Sequence, residues 1–142
     1  MEEKVYRTEL TPLSFLERST SVFPDKTAIV HGDRQYTYRE FAWRVNRLAS
    51  RLRDSGLQKH DRVAFLCPNI PAMLEAHYAI PAAGGILVAV NTRLNSHEIA
   101  FILTHSGVKF LFVDAELFHL IEPLTLAGLQ VCLLYTSPSP RD

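Results

Sequence analysis

Apolar and polar residues follow one another along this chain in blocks that predict a repeated succession of helices and strands. The clearest block is residues 79–103, where a small-residue helix end, an apolar run, a polar corner and a new helix follow directly. The run 86–90 has no polar alternation, which predicts a strand buried on both faces, as in a parallel sheet. We expect Gly84 and Gly85 to supply the positive φ with which the preceding helix ends.

Helices are predicted wherever apolar residues recur at helical spacing after a capping residue. Three polar residues are placed to cap helix N-termini: Thr11, Thr37 and Ser96. Thr37 and Glu40 are three residues apart, the spacing of a capping box, and the apolar stripe that follows ends at Gly56. The helix after Ser96 is expected to end at Gly107, and two further helices are predicted over residues 71–83 and 115–121.

The strands are predicted in two groups. Residues 27–30 and 35–38 form a β-hairpin around a Gly-Asp corner, and four apolar runs at 61–67, 86–90, 109–113 and 131–134 predict further strands. After the hairpin, strand and helix alternate. This order predicts an α/β layer fold with a mostly parallel sheet and right-handed crossovers.

Composition narrows the class of protein without identifying a partner. The 142 residues suit one domain, and 15 basic residues balance 15 acidic ones, so no long-range field indicates a nucleic-acid or anionic-membrane binder. The longest apolar stretch is broken by Pro81 and two glycines, and the start is charged, so neither a membrane span nor a secretion signal is expected. Cys67 and Cys132 lie in apolar runs, which predicts buried, reduced thiols in a cytoplasmic protein.

Motifs of catalysis are weak throughout the chain. Gly84-Gly85 ends a helix and precedes a strand, the reverse of a phosphate loop, so a helix cap is the favoured interpretation. His97-Glu98 begins like a zinc-protease helix, but position 101 is Phe101 where a second histidine is needed. No residue is therefore assigned as catalytic, cofactor-binding or metal-binding.

Two features could still bear on binding. Five arginines lie off the apolar stripe of one helix, where they could contact a nucleotide or a membrane, although a solvated helix face is the favoured interpretation: Arg39, Arg44, Arg47, Arg51 and Arg53. Residues 91–93 follow a strand, where ligand crevices form in α/β sheets, although a structural corner is the favoured role there. A flavodoxin-like or response-regulator-like binding module is the rival class, but the strand ends offer only one acid, Asp114.

The end of the chain differs in kind from the rest. Residues 135–142 read Tyr-Thr-Ser-Pro-Ser-Pro-Arg-Asp, with no periodicity, where the next helix is expected. We interpret them as a non-native or disordered tail after a reading frame cut near residues 131–134. The domain is accordingly expected to cover residues 1–134.

Several sequence blocks, taken in order, resemble the N-terminal part of an adenylate-forming (AMP-binding) enzyme of the acyl-CoA synthetase type. The blocks are FPDKTAIV at 23–30, YTYREF at 36–41, residues 63–69 with Pro71-Ala72-Met73, residues 79–94 with Asn-Thr-Arg-Leu, and HSGVK at 105–109. The resemblance covers residues 11–123. It implies an incomplete part of that family's large N-terminal α/β domain.

The resemblance also implies an activity for the parent enzyme. That enzyme would use ATP and Mg²⁺ to convert a fatty or aromatic carboxylic acid into an acyl-adenylate, then transfer the acyl group to coenzyme A. The family's phosphate loop, its adenine and ribose motifs and its C-terminal lysine have no match here. The chain alone is therefore expected to be inactive, poorly stable and dependent on the missing remainder of its own polypeptide. An adenylation domain or a luciferase-like enzyme is the alternative within the superfamily.

Overall fold

A computed structural model describes residues 8–124 and 129–134 of the chain. A two-stranded antiparallel hairpin contains β1 (Thr27–His31) and β2 (Arg34–Thr37). A four-stranded sheet contains β3 (Arg62–Leu66), β4 (Ile86–Ala89), β5 (Val108–Asp114) and β6 (Gln130–Leu134). The helices are α1 (Pro12–Val22), α2 (Tyr38–Asp54), α3 (Pro71–Ala82) and α4 (Ser96–Ser106), with a 3₁₀ helix at Ala115–Leu120. The predicted tail, residues 135–142, lies outside the described residues.

The larger sheet is parallel throughout and has the strand order β4-β3-β5-β6. Each pair of successive strands is joined by a helical segment, as the alternation of elements predicts. The α/β class, the hairpin and the parallel sheet are therefore confirmed.

The hairpin closes through the predicted Gly-Asp corner. His31 pairs with Arg34 across the two-residue turn, and Val30 pairs with Gln35. Gly32 has φ +58°, whereas Asp33 does not have a positive φ. This combination is the sign pattern of a type II′ turn, in which glycine occupies the first central position.

Local capping sets the helix starts, with one correction to the prediction. Thr11 and Thr37 cap α1 and α2 through reciprocal capping boxes. Ser96, however, is the first helical residue of α4, and the cap is Asn95. The Asn95 side chain accepts from the Glu98 amide at 3.0 Å, and the Glu98 carboxylate accepts from the Asn95 amide at 2.9 Å. The capping-box spacing of three residues to Glu98 already favoured position 95.

The two glycines after α3 serve different purposes. Gly84 has φ +91°, as predicted for a helix end, but Gly85 does not have a positive φ. A Cβ on Gly85 would lie 3.1 Å from the Ile80 side chain and 3.2 Å from the Asp61 carbonyl oxygen. Gly85 is therefore explained by close packing, which the sequence pattern does not reveal.

The apolar core forms on both faces of the sheet, with a third cluster beyond α2 and α3. Alternate residues of β3 face opposite sides: Val63 and Phe65 pack with α2 and α3, whereas Ala64 and Leu66 pack with α4. The third cluster joins α1, β1, α2 and α3. The hairpin and α1 are thus held on the outer side of the α2 and α3 layer.

The expectation that the run 86–90 is buried on both faces is wrong for β4, although the central strand β3 is buried in this way. Residues 63–66 of β3 are buried, but Ile86 of β4 is 46% exposed and Ala89 is exposed. β4 occupies an edge of the sheet and has a neighbour on one side only. An apolar run cannot distinguish a central strand from an edge strand, because that depends on the strand order.

Side chains at the amino end of β3 fasten it to its neighbours. The Arg62 guanidinium donates to the Ser106 carbonyl at 2.6 Å and to the Gly107 carbonyl at 3.0 Å, at the end of α4. Lys109 lies 2.7 Å from the Asp61 carboxylate, which lowers the pKa of Asp61, with the Gln58 amide adding to the effect.

Among residues 8–124 and 129–134, no helix is long and apolar enough to cross a membrane.

Candidate functional site

The carboxyl edge of the parallel sheet is the place to look for a site, because ligand crevices in α/β folds form there. The segment 91–93 lies at this edge, after β4. The Asn91 side-chain oxygen accepts from the Arg93 amide at 2.9 Å, which closes a local turn. This contact supports the structural role that the sequence favoured for the corner.

Asp114 and Cys67, which lie at the carboxyl ends of β5 and β3, are both buried. Asp114 is 2% exposed, and its carboxylate accepts from the Glu116 amide at 2.9 Å, capping the 3₁₀ helix. Cys67 is buried, and burial raises the pKa of its thiol to about 12, with the negative charge of Asp114 acting in the same direction. A thiol with this pKa stays protonated at neutral pH, so Cys67 is not an activated nucleophile.

The two cysteines are both free, but only one is buried. Cys67 packs in the core, as predicted, whereas Cys132 is exposed, and the prediction of burial is wrong for it. Cys132 lies in β6, at an edge of the sheet. An apolar neighbourhood in the sequence therefore did not determine whether the thiol is covered.

The arginine-rich face of α2 is not simply a solvated surface. Arg44 forms an ion pair with Glu75, a buried residue of α3, and the hydrogen bond between them raises the pKa of Arg44. The Arg44 guanidinium also lies 5.0 Å from the centroid of the Tyr36 ring. Arg53 donates to the Ala82 carbonyl at 3.0 Å. Two of the five arginines thus join α2 to α3.

The histidine motif belongs to the start of a helix, which is the interpretation that the sequence favours. His97 and Glu98 lie in the first turn of α4, and Glu98 completes the capping box. Within the described residues, no group of three or more His, Cys, Asp and Glu side chains is placed to hold a metal ion.

A groove of about 530 Å³ opens between the start of α1, the strand β1 and the N-terminal half of α3. Four polar residues line it: His31, Asn69, His77 and Tyr78. The remaining lining is apolar: Pro12, Ile29, Val30, Ile70, Pro71, Met73 and Leu74. Its position beside Asn69 and Ile70, which follow β3, puts part of the groove at the carboxyl edge of the sheet.

Sequence reasoning missed this groove, because its walls come from three separated segments. One signal was available in residues 70–82, where the helix is apolar on nearly every side and carries no single apolar stripe. A helix of that kind normally needs cover on more than one face. Only four of its residues are buried: Glu75, Ala76, Ala79 and Ile80.

The groove does not suit a nucleoside triphosphate. Neither lysine nor arginine lines it, and a triphosphate with its divalent cation requires cationic or amide-rich surroundings. His77 Nδ1 is engaged with the Met73 carbonyl at 2.7 Å. The lining of this groove therefore lacks the cationic groups that a bound triphosphate requires.

Comparisons with known proteins converge on one family. A family model described as "AMP-binding enzyme" matches residues 16–140. The chain is 46% identical over 115 residues to the peroxisomal acetate/butyrate–CoA ligase of Arabidopsis thaliana, covering 81% of this chain. It is 44% identical over 107 residues to the peroxisomal trans-cinnamate:CoA ligase of Petunia hybrida, covering 75% of this chain.

A solved structure agrees with the sequence matches. A Rhodopseudomonas palustris protein, assigned as a long-chain-fatty-acid CoA ligase, superposes with a TM-score of 0.84 at 30% identity, over 93% of this chain. The match covers 34% of that protein, 20% of the Arabidopsis ligase and 19% of the Petunia ligase. The chain thus spans about a fifth of the length of the two ligases matched by sequence.

Proposed function

Because the chain belongs to the AMP-binding enzyme family, we propose that it is the N-terminal part of an ATP-dependent acid–CoA ligase. The observation that carries this proposal is the 46% identity to a CoA ligase over 115 residues. The structural similarity to a second ligase over 93% of this chain supports it.

The proposed reaction has two steps. A carboxylate oxygen of the acid attacks the α-phosphorus of ATP, the bond to pyrophosphate breaks, and an acyl-adenylate forms. The thiol of coenzyme A, after losing its proton, then attacks the acyl carbon and AMP leaves. A divalent cation, Mg²⁺ in our proposal, would neutralise the phosphate charge in the first step.

We propose that this part of the enzyme supplies scaffold and no catalytic residue. Asn91 and Asp114, at the carboxyl edge of the sheet, are engaged in local turns and caps. Cys67 is a buried, protonated thiol. The phosphate-binding and lid segments on which adenylation depends are proposed to lie in the remainder of the polypeptide.

For the substrate we propose a fatty or aromatic carboxylic acid. The matched relatives are named for short aliphatic acids in one case and for cinnamate in another. The same names favour a CoA ligase over an adenylation domain that feeds a carrier protein or a luciferase-like enzyme. The structural match to a ligase likewise favours this function over a flavodoxin-like module.

A pyrophosphate-release assay tests the proposal that this part of the enzyme supplies no catalytic residue. We expect the isolated 142-residue chain to release no pyrophosphate above background from ATP, Mg²⁺ and a panel of acetate, butyrate, octanoate and cinnamate. The full-length Arabidopsis acetate/butyrate–CoA ligase serves as the positive control. Acid-dependent release by the isolated chain at a rate comparable to the control would contradict the proposal.

A hybrid enzyme tests the identity of the parent. In the hybrid, the segment of the Arabidopsis ligase that matches this chain is replaced by the residues of this chain. We expect the hybrid to form acetyl-CoA or butyryl-CoA, because the replaced segment is scaffold. A folded hybrid that binds acid and ATP but forms no adenylate would show that this segment does contribute catalytic groups.

We also propose that the enzyme acts in the cytoplasm, since both cysteines are free, with a role in fatty acid metabolism. The two plant relatives named above are peroxisomal by name, which makes the peroxisome the competing location. Fluorescence microscopy of the tagged full-length enzyme distinguishes the two compartments.

A further inference from the structure

The outer face of α2 carries the chain's single tryptophan in an exposed position. Trp43 is 56% exposed, and the Arg47 guanidinium carbon lies 4.6 Å from the centroid of its ring. Arg51 follows one helical turn after Arg47 and is exposed as well. Because side chains four residues apart lie on the same side of a helix, these three form one continuous surface, which we call the Trp43 strip.

The Trp43 strip does not belong to the face with which α2 packs on the rest of the molecule. The core residues of α2 lie elsewhere on the helix: Phe41, Val45, Ala49 and Leu52. Arg47 covers one face of the Trp43 ring and leaves the other available for a contact. Tryptophan and arginine are the residue types that most often carry the binding energy of protein interfaces. The composition of the strip is therefore typical of a docking site.

The middle of the strip carries positive charge without a carboxylate to balance it. Within residues 8–124 and 129–134, neither Arg47 nor Arg51 forms an ion pair. The two acidic residues of α2 lie at its ends. Glu40 accepts from the Thr37 amide at 2.7 Å in the capping box, and Asp54 is the last residue of the helix. A partner that brings carboxylates would thus complement both arginines.

Charge and shape together select the occupant. The strip lies on the convex surface of a helix, whereas small ligands bind in concave sites. A nucleic acid or an anionic membrane requires a broad basic surface, but 15 acidic residues balance the 15 basic residues of this chain. A protein segment with carboxylates beside an apolar side chain satisfies the arginines and the tryptophan ring at once.

We propose that the Trp43 strip is a docking site for a partner protein that presents an acidic segment. In this complex an apolar side chain of the segment packs on Trp43, and its carboxylates pair with Arg47 and Arg51. None of these three residues takes part in the proposed reaction. The docking proposal can therefore fail while the ligase assignment stands, and the reverse also holds.

Selection from a displayed library of random peptides tests the chemistry of the partner. The bait is the 142-residue chain, and a counter-selection on the Trp43→Ala variant removes peptides that bind elsewhere. We expect the enriched peptides to share Asp or Glu residues around an apolar side chain. Enrichment of basic or uncharged peptides, or of no peptide at all, would overturn the proposal.

Tryptophan fluorescence reports the contact directly, because Trp43 is the single tryptophan of the chain. The probe is an enriched peptide, synthesised without tryptophan and titrated into a dilute solution of the chain. We expect the emission to shift to shorter wavelength as the ring leaves water, and not to shift with a peptide in which lysine replaces each acid. Binding of the acidic peptide with unchanged emission would contradict the proposed contact.

Matched substitutions separate the strip from exposed aromatic surface in general. We expect Trp43→Ala to weaken peptide binding by about ten-fold or more, and Arg47→Gln and Arg51→Gln to weaken it by about three-fold each. Phe101→Ala is the control, because Phe101 is 65% exposed on α4, which packs on the opposite face of the sheet. Fluorescence anisotropy of the labelled peptide measures the affinities, and equal losses with Trp43→Ala and Phe101→Ala would refute the proposal.

Two other occupants of the strip would give different results. Binding of phosphatidylserine vesicles that Trp43→Ala abolishes, without binding of acidic peptides, would assign the strip to a membrane. A dimer that Trp43→Ala converts to a monomer in light scattering would assign it to a second copy of the chain. Either result would overturn the proposal of an acidic protein partner. Circular dichroism of each variant verifies that the fold is retained.

Discussion

At the scale of single residues, the two cysteines show how position decides chemistry. Cys67 follows the central strand β3 and is buried in the core between the sheet and α3. Cys132 lies in the edge strand β6, where it pairs with Phe112 of β5, and its side chain is exposed. The pKa of Cys67 is raised to about 12 because a thiolate would lose its hydration in the core.

We predict that a thiol reagent such as Ellman's reagent labels Cys132 quickly and Cys67 only when the chain opens. At pH 8, the rate for Cys67 is expected to be at least a hundred-fold lower, since both access and thiolate fraction are small. In urea the labelling rates of Cys67 and Cys132 should become equal. The Cys132→Ser variant retains only Cys67, so its labelling identifies the slow phase. Equal rates in the folded chain would show that Cys67 is not enclosed.

The role of Arg44 likewise depends on a contact between distant segments of the chain. The sequence pattern favours a solvated face for this side chain, but Arg44 forms an ion pair with the buried Glu75 and lies over Tyr36. Glu75 is 31 residues away in sequence, so no helix-face pattern within α2 can reveal the pair. The contact was decided by the packing of α2 on α3.

At the scale of elements, the helix ends depend on short-range rules and the element contacts do not. Gly107 ends α4 with φ +62°, as the sequence predicted. Its carbonyl also accepts from Arg62, which lies in β3, so the same residue joins a helix end to the central strand. Conformation and contact therefore constrain this position independently.

We predict that Gly107→Ala lowers the free energy of unfolding by about 2 kcal/mol, against about 1 kcal/mol for Gly32→Ala. Both glycines have φ near +60°, but a Cβ on Gly107 would lie 2.6 Å from Arg62 Nη2, whereas nothing lies within 4 Å at Gly32. Urea unfolding of the two variants measures the difference. Equal losses would mean that the Arg62 contact adds nothing.

At the scale of the whole molecule, the sheet has a free edge at β4 and the hairpin has a free edge at β1, within the described residues. Exposed apolar side chains accompany both edges, Ile86 in β4 and Val30 in β1. Open strand edges with apolar side chains promote pairing between copies of a chain. The isolated chain is expected to aggregate for this reason.

We predict that Ile86→Lys increases the fraction of soluble monomer several-fold at a given concentration. A lysine on the edge strand discourages pairing with a second copy, and Ile86 is already 46% exposed, so little core packing is lost. Val22→Lys is the control for added charge away from a strand edge. Light scattering after size separation measures the monomer fraction, and an equal gain with both variants would assign the effect to net charge alone.

The sequence by itself determined the order and type of the elements, the caps at Thr11 and Thr37, the Gly-Asp hairpin turn and the family to which the chain belongs. Each of these rests on interactions within about four residues or on blocks of fixed spacing. Asn95 was missed as a cap although the same short-range rule identifies it.

Only the tertiary structure decided which strands lie at the edges, that Cys132 is exposed, that Arg44 pairs with Glu75, and that a groove lies between β1 and α3. These features depend on the strand order and on contacts between distant segments. Apolar periodicity reports that a face is covered but carries no information about which segment covers it.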